Sequence, residues 1–359
     1  MWPDRRLIDL FKIEFPILLA PMAGVVDADL AIAVAQAGGL GSLPCAMISA
    51  DKAREQVNVV RQRVSAPVNL NFFTHQAVDA HPEREANWKQ HLGSYYKEHG
   101  IDPAAPISAA NRAPFDAAFC AVVEELKPEV VSFHFGLPEV SLLKRVKAAG
   151  CIVMSSATTV REAIWLEENG ADVIIAQGAE AGGHRGMFLT ENIAEQPGTF
   201  ALVPQVVDAV KVPVVAAGGI ADGRGIAAAF ALGASGVQIG TAYLRCPESK
   251  VSALARVALA QASDESTVIT NVMTGRPARG VANRVMREVG PISPHAPAFP
   301  HAATALGPLK VAAEKQGKVD FTNLWAGQAV RMGREMPATE LTQALAGGAL
   351  ARFAQMAGR

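Results

Sequence analysis

Short runs of apolar residues alternate with amphipathic stretches along most of the chain. Eight runs stand out, at residues 16–20, 39–43, 67–71, 130–135, 151–155, 172–177, 213–217 and 235–240. Most are nearly continuous in Val, Ile, Leu and Ala, the pattern of strands covered on both faces. Between them, apolar positions recur at helical spacing over 27–37, 50–64, 115–126, 139–149, 159–169, 202–210 and 224–232. Several of these helices close on the same phrase, a small apolar residue followed by glycine, as in Ala37-Gly38-Gly39, Ala149-Gly150-Cys151 and Leu232-Gly233-Ala234. Glycine just past a helix takes the left-handed conformation and returns the chain toward the next strand. The repeated strand–helix alternation predicts an α/β protein, a (β/α)8 TIM barrel rather than an open sheet. No GxGxxG follows the first strand, which counts against a doubly wound dinucleotide fold, the alternative.

Two regions exceed a minimal barrel. Residues 74–114 are polar, rich in His, Trp and Tyr, and leave the end of the third strand. Barrel sites lie at that end of the strands, so this insertion is a candidate lid or substrate wall, with a packing loop as the alternative. From residue 247 onward the chain holds further helical patterns, a Pro-rich hinge at 291–300, and expected helical segments at 321–332 and 338–356. No break into a second domain is visible. Residues 1–359 read as one barrel domain with an insertion at 74–114 and a helical C-terminal extension at 247–359.

Composition narrows the classes further. Half of the 359 residues are hydrophobic and 19% are charged, enough for a large buried core. A net charge of −1 offers no electrostatic reason to expect nucleic acid or an anionic membrane as partner. Cys45, Cys120, Cys151 and Cys246 are widely spaced with no CxxC pair, which predicts neither a disulfide scaffold nor a metal site. No apolar leader or spanning stretch is present, so the expectation is a soluble cytoplasmic protein, with a homo-oligomer left open.

The candidate chemistry gathers at the strand ends. After the first strand, Ala20-Pro21-Met22-Ala23-Gly24 lets backbone approach a flat ring closely, and Met22 can pack on it. The third strand ends in Asn69-Leu70-Asn71, whose amides suit a ring edge; the register favours Asn71. The sixth leads into Gln177-Gly178-Ala179-Glu180-Ala181-Gly182-Gly183-His184-Arg185-Gly186. Glycines such as Gly182 and Gly183 expose amides to an anion or a ring carbonyl. They surround a single histidine, His184, which at an ordinary pKa near ~6.5 would act as base or electrostatic partner. A purely structural histidine is the alternative. Arg185 beside it either draws an anionic substrate or reaches solvent. The seventh and eighth strands end in Gly218-Gly219-Ile220-Ala221-Asp222 and Gln238-Ile239-Gly240-Thr241. Glycines ahead of helix starts at these two places predict a phosphate cradle, with the Thr241 hydroxyl as a further donor.

Taken together, these motifs resemble the nitronate monooxygenase family, formerly the 2-nitropropane dioxygenases, which are FMN-dependent barrels. The resemblance runs through residues 16–24, 38–44, 69–73, 131–138 (VSFHFGLP), 178–186 (GAEAGGHRG), 216–222 (AAGGIAD), 238–241 (QIGT) and 322–328, which end in LWAGQ. It implies that Asn71, Gln177, Gly182, Gly219 and the segment Gln238, Ile239, Gly240 and Thr241 bind FMN. It also places Pro21, Met22 and Gly218 near the ring or phosphate, brings Gln328 to the flavin from the tail, and makes His184 the active-site histidine. The implied reaction converts an alkyl nitronate and O2 to a carbonyl compound and nitrite, with no nicotinamide. Two other readings stay open. One is an NAD(P)H-dependent quinone or enoyl-thioester reductase on the same FMN scaffold; the other is a flavin-free barrel that binds a phosphate ligand.

Overall fold

The computed structural model describes residues 1–107 and 112–358. Eight parallel strands form the central sheet: β1 (Ile17–Leu19), β2 (Gly41–Pro44), β3 (Val68–Phe73), β4 (Val130–His134), β5 (Ile152–Ala157), β6 (Val173–Gln177), β8 (Val214–Ala217) and β9 (Gly236–Ile239). Their order is β1-β9-β8-β6-β5-β4-β3-β2, and a parallel bridge between Leu18 and Leu40 brings the two edges together into a (β/α)8 barrel. A short β7 (Gly183–His184) lies between β6 and β8 in sequence but pairs elsewhere. The plug at the N-terminal end is α1 (Arg6–Phe11), whose Leu7 and Phe11 join the cluster inside the barrel.

The predicted helices form the outer layer, each within a few residues of its expected bounds: α2 (Ala28–Gln36), α3 (Ala50–Arg63), α6 (Ala117–Leu126), α7 (Val140–Ala148), α8 (Val160–Glu168), α9 (Thr199–Ala209) and α10 (Gly223–Ala231). Their entry points are set by side-chain caps. Asp27, Ser49, Asp116, Thr159 and Asp222 each accept a backbone N–H of the first turn.

Period-two alternation sorts every strand into two faces. Leu70 and Phe72 of β3, Val131 and Phe133 of β4, and Val237 and Ile239 of β9 pack outward with the helices. Leu18, Val130, Met154, Val173 and Val215 fill the interior above α1. Further along the strands the inward positions turn polar: Asn71, Ser156, Gln177 and Gln238 line the cavity at the mouth. That change from apolar to polar along the inner face places the site before any loop is considered.

The regions beyond the barrel differ from expectation in two respects. The extension is not purely helical. Besides α11 (Ala253–Gln261), α12 (Arg284–Glu288), α13 (Ala302–Lys315) and α14 (Ala338–Met356), it supplies β10 (Thr267–Thr270) and β11 (Ala278–Val281). With β7 these make an antiparallel sheet in the order β10-β11-β7, in which His184 pairs with Ala278. Residues 321–332, expected as helix, run largely without helical hydrogen bonding, with one 3-10 turn at Val330–Met332. The segment spends its backbone on other partners: Val281 donates to the Leu324 carbonyl at 2.8 Å, Gln328 donates to the Glu180 carbonyl at 3.0 Å, and Gly280 bridges Trp325.

The insertion contains α4 (Pro82–His91) and α5 (Gly93–Glu98), which pack on the extension rather than on the barrel. Trp88, Leu92, Tyr95 and Tyr96 share a core with Met273, Val285, Leu306 and Phe321. Indole Nε1 of Trp88 donates to the Ala302 carbonyl at 3.1 Å, and the Tyr96 hydroxyl donates to the Ala305 carbonyl at 2.6 Å, so neither buried aromatic leaves a polar atom stranded.

Candidate active site

The barrel mouth opens into a cavity of about 520 Å³, a size typical of small-molecule sites. It is lined by Pro21 and Met22 after β1, Asn71 of β3, Gln177 of β6, Gly182, Gly183 and His184, Gly218 and Gly219 after β8, and Gln238, Gly240 and Thr241. The structure thus brings together twelve of the residues singled out in the sequence. Two stand apart. Ile239 is out of phase with Gln238 and turns into the helix-side core. Gln328 has an exposed side chain, and only its backbone engages the region, through Glu180.

One side of the cavity is built from backbone. Gly218 and Gly219 both lie at positive φ, +118° and +71°. A Cβ on Gly218 would fall 2.8 Å from Thr199 Oγ1, whereas one on Gly219 would meet only Glu180 carbons, at 3.5 Å. Gly182 and Gly327 touch backbone to backbone: a Cβ on either would sit within 2.6 Å of the other segment. Glu180 helps hold this loop, its carboxylate accepting from Thr199 N–H and Oγ–H at the start of α9. Thr241 Oγ1 accepts from Gly327 N–H at 2.8 Å. The first turn of α10 is already capped, because the Asp222 carboxylate accepts from Arg224 and Gly225. Any anion in this cradle therefore depends on loop amides more than on that helix end.

The opposite side is built from side chains. His184 Nε2 lies 2.9 Å from Thr274 Oγ1, a buried hydroxyl on the turn between β10 and β11. The His184 carbonyl accepts twice, from Gln177 Nε2 at 3.0 Å and from His134 Nε2 at 3.1 Å. Gln177 Oε1 accepts from Gly186 N–H, so this amide braces the histidine loop with both ends. His134 Nδ1 is 3.1 Å from Ser156 Oγ; with Nε2 donating to a carbonyl, Nδ1 accepts from that hydroxyl. Phe73, Phe135 and Phe299 surround the His184 ring at centroid distances of 6.2, 6.1 and 5.3 Å. Phe135 holds φ +77°, a strained value for a bulky residue.

This setting changes the expected protonation. Burial, reinforced by the positive charges of Arg112 and Arg276, holds the His184 pKa well below its ordinary value. Burial brings His134 and His75 down to about 4. His184 is therefore a neutral imidazole at physiological pH and carries no positive charge of its own.

Arg185 neither reaches solvent nor faces a ligand. It is fully buried, donating to the carbonyls of Gln177 and Gly178 and to Gln196 Oε1. Cys45 is a buried thiol whose pKa burial raises to about 12, and the other three cysteines are buried as well. Four contributors were missed as site residues in the sequence: Thr274, Arg112, Phe299 and Trp325. None lies at a barrel strand end, and only Trp325 falls within a quoted motif, LWAGQ.

Fold and site together define the class: a (β/α)8 barrel with a glycine-lined, histidine-bearing cavity at the C-terminal ends of its strands. The match to the nitronate monooxygenase family model, over residues 4–348, places the chain in that family. It is 42% identical to a nitronate monooxygenase of Pseudomonas aeruginosa over 95% of this chain and 97% of that one, and 41% identical to one of Paraburkholderia phytofirmans over 95% and 94%. Among solved structures, a nitroalkane oxidase from Streptomyces ansochromogenes superposes with a TM-score of 0.88 at 37% identity, covering 98% of this chain and 99% of that one. FabK from Thermotoga maritima superposes with a TM-score of 0.71 at 27% identity, covering 98% of each chain.

Proposed function

We propose that the chain is an FMN-dependent nitronate monooxygenase that oxidises alkyl nitronates with O2 to carbonyl compounds and nitrite. The observation that carries this reading is a neutral His184 and a glycine-lined wall on one cavity. A histidine that resists protonation is a weak base. Each unit by which its pKa lies below that of the carbon acid adds ~1.4 kcal/mol to a proton abstraction. Such a site suits a substrate that arrives already ionised.

The residues present fit FMN. Gln238 Oε1 is buried at the cavity wall with no partner among the described residues, as an acceptor awaiting a ring N–H would be. The cradle at Gly218, Gly219, Gly240 and Thr241 would hold the phosphate, while Pro21, Met22, Asn71 and Gly182 would flank the ring. Bound FMN would supply the electron acceptor for the nitronate and the route from there to dioxygen.

The chain's own residues supply orientation and proton control. Thr274 takes up His184 Nε2, which leaves Nδ1 as the ring nitrogen directed to chemistry. When a neutral nitroalkane is offered, Nδ1 is the atom that would accept its α-proton, at the cost just given. Gln177 and His134 fix the loop through the His184 carbonyl, and the phenylalanines exclude water. In this reading the insertion, the extension and the barrel work as one unit, and the protein is cytoplasmic; among the described residues, no helix is long and apolar enough to cross a membrane.

The FabK-like likeness favours a second reading, a nicotinamide-dependent reductase on the same scaffold. Anaerobic titration of the yellow holoprotein separates the two. Propionate 3-nitronate is expected to bleach the flavin band near ~450 nm and NADPH to leave it. Rapid bleaching by NADPH alone would reverse the assignment.

A further inference from the structure

The insertion returns to the barrel beside its own point of departure: Phe115 N–H donates to the Phe73 carbonyl at 2.7 Å. Just before this junction, Arg112 reaches the cavity wall. Its guanidinium carbon stands 5.5 Å from the centre of the Phe299 ring, and Nη1 is buried with no hydrogen-bond partner among the described residues. The other arginines near the site have acceptors for their guanidinium groups, although Nε of Arg276 is also without a partner among the described residues. Arg185 has three acceptors, Arg279 donates to Ala179 and Thr267, and Arg276 donates to Met187 and stacks on Phe135. Burial lowers the Arg112 pKa, and among the described residues no carboxylate offsets it. A buried, uncompensated cation is costly, and it is retained where an anion completes it.

The topology keeps that anion distinct from the one in the cradle. β3, which carries the insertion, lies on the far side of the barrel from β8 in the strand order. A phosphate at Gly218 and Gly219 and an anion at Arg112 thus occupy opposite rims, with the ring space and His184 between. The nitronate group is a planar, forked anion, and the guanidinium fork matches such a group with two parallel hydrogen bonds.

We propose that Arg112 is the residue that anchors the substrate anion and selects nitronates over their neutral nitroalkane acids. The inference rests on the nitronate reading of the site. Its test uses the holoenzyme and the variants Arg112→Met, which keeps the apolar stem on Phe299, and Arg112→Lys, which keeps charge without the fork. Two quantities are measured: KM for ethylnitronate and for nitroethane, and the Kd of nitrate, a planar anion that is not turned over, from the flavin difference spectrum.

Arg112→Met is expected to raise the ethylnitronate KM and the nitrate Kd by at least ~30-fold and the nitroethane KM by no more than ~5-fold. Flavin content is expected to stay the same. Arg112→Lys should recover part of the nitrate affinity but not all of it. Unchanged nitrate affinity and ethylnitronate KM in Arg112→Met overturn the proposal. Should that variant not fold, wild-type nitrate affinity in Arg112→Lys overturns the forked contact by itself. A wild-type protein that binds nitrate through Arg112 but does not oxidise ethylnitronate defeats the nitronate reading and leaves the anion anchor standing.

Discussion

The two sides of the barrel mouth are made in different ways. The cradle at the ends of β6, β8 and β9 is backbone, assembled from consecutive residues whose glycines permit positive φ and close approach. The opposite side, around His184, is side chain, converging from β3, β4, the turn after β10 and the segment at residues 321–332. A backbone site tolerates change in its surroundings but not an added side chain. A side-chain site tolerates movement of any one contributor poorly, because its pKa values and orientations arise from several distant elements at once.

The difference can be broken at either side. The largest effect is expected from His184→Asn: loss of kcat with a neutral nitroalkane by ~10²–10⁴-fold, with FMN retained, read from oxygen consumption and flavin absorbance. Wild-type turnover in that variant would leave His184 a structural residue. Gly219→Asp acts on the cradle alone. The position has room for a Cβ and an αL conformation that Asp tolerates, so the fold survives while a carboxylate faces the phosphate. FMN affinity is expected to fall by at least ~10²-fold, measured as bound flavin after gel filtration; full occupancy refutes the cradle.

The buried histidines make the side-chain wall sensitive to acid. His134, His75 and His184 have folded pKa values below those of the unfolded chain, so below about pH 6.5 the unfolded state binds protons that the folded state does not. Stability is therefore complete above that pH and is lost on descent toward pH 4. His134, with its pKa near 4, contributes a loss of about 3 kcal/mol at pH 4. Urea midpoints between pH 7.5 and ~4.5 should fall accordingly; a flat profile contradicts the burial of these rings. By the same argument, kcat/KM for a nitronate shows no inflection near 6.5 from His184.

Smaller effects sharpen the contrast. Thr274→Val removes the hydroxyl at His184 Nε2 and is expected to lower kcat ~10-fold, with Thr274→Ser restoring it. Equal rates in Val and Ser variants would show that the hydroxyl does not orient the ring. Gln328→Ala, which truncates an exposed side chain and leaves its backbone bond to Glu180 intact, should alter FMN affinity less than ~2-fold.

The legibility of these features in the sequence follows the same division. Strands and helices of the barrel could be read because period-two and 3.6-residue patterns are local, and the Gly-terminated helices mark their own ends. The cradle could be read because contiguous motifs such as AAGGIAD and QIGT carry it. Residues 321–332 misled because a run of apolar and small residues has the composition of a helix, while its backbone partners, Glu180 and Val281, are far away in sequence. The β10-β11-β7 sheet was invisible because β7 is only two residues long and is created by its pairing.

The sequence by itself determined the barrel, the glycine-lined strand ends and the presence of one histidine in the loop after β6, since each depends on neighbours along the chain. Only the tertiary structure decided that this histidine is neutral, that Arg185 is a buried brace and that Arg112 lines the cavity. Charge state and exposure are properties of an environment, and the one around His184 is assembled from residues as far apart in sequence as Phe73 and Trp325.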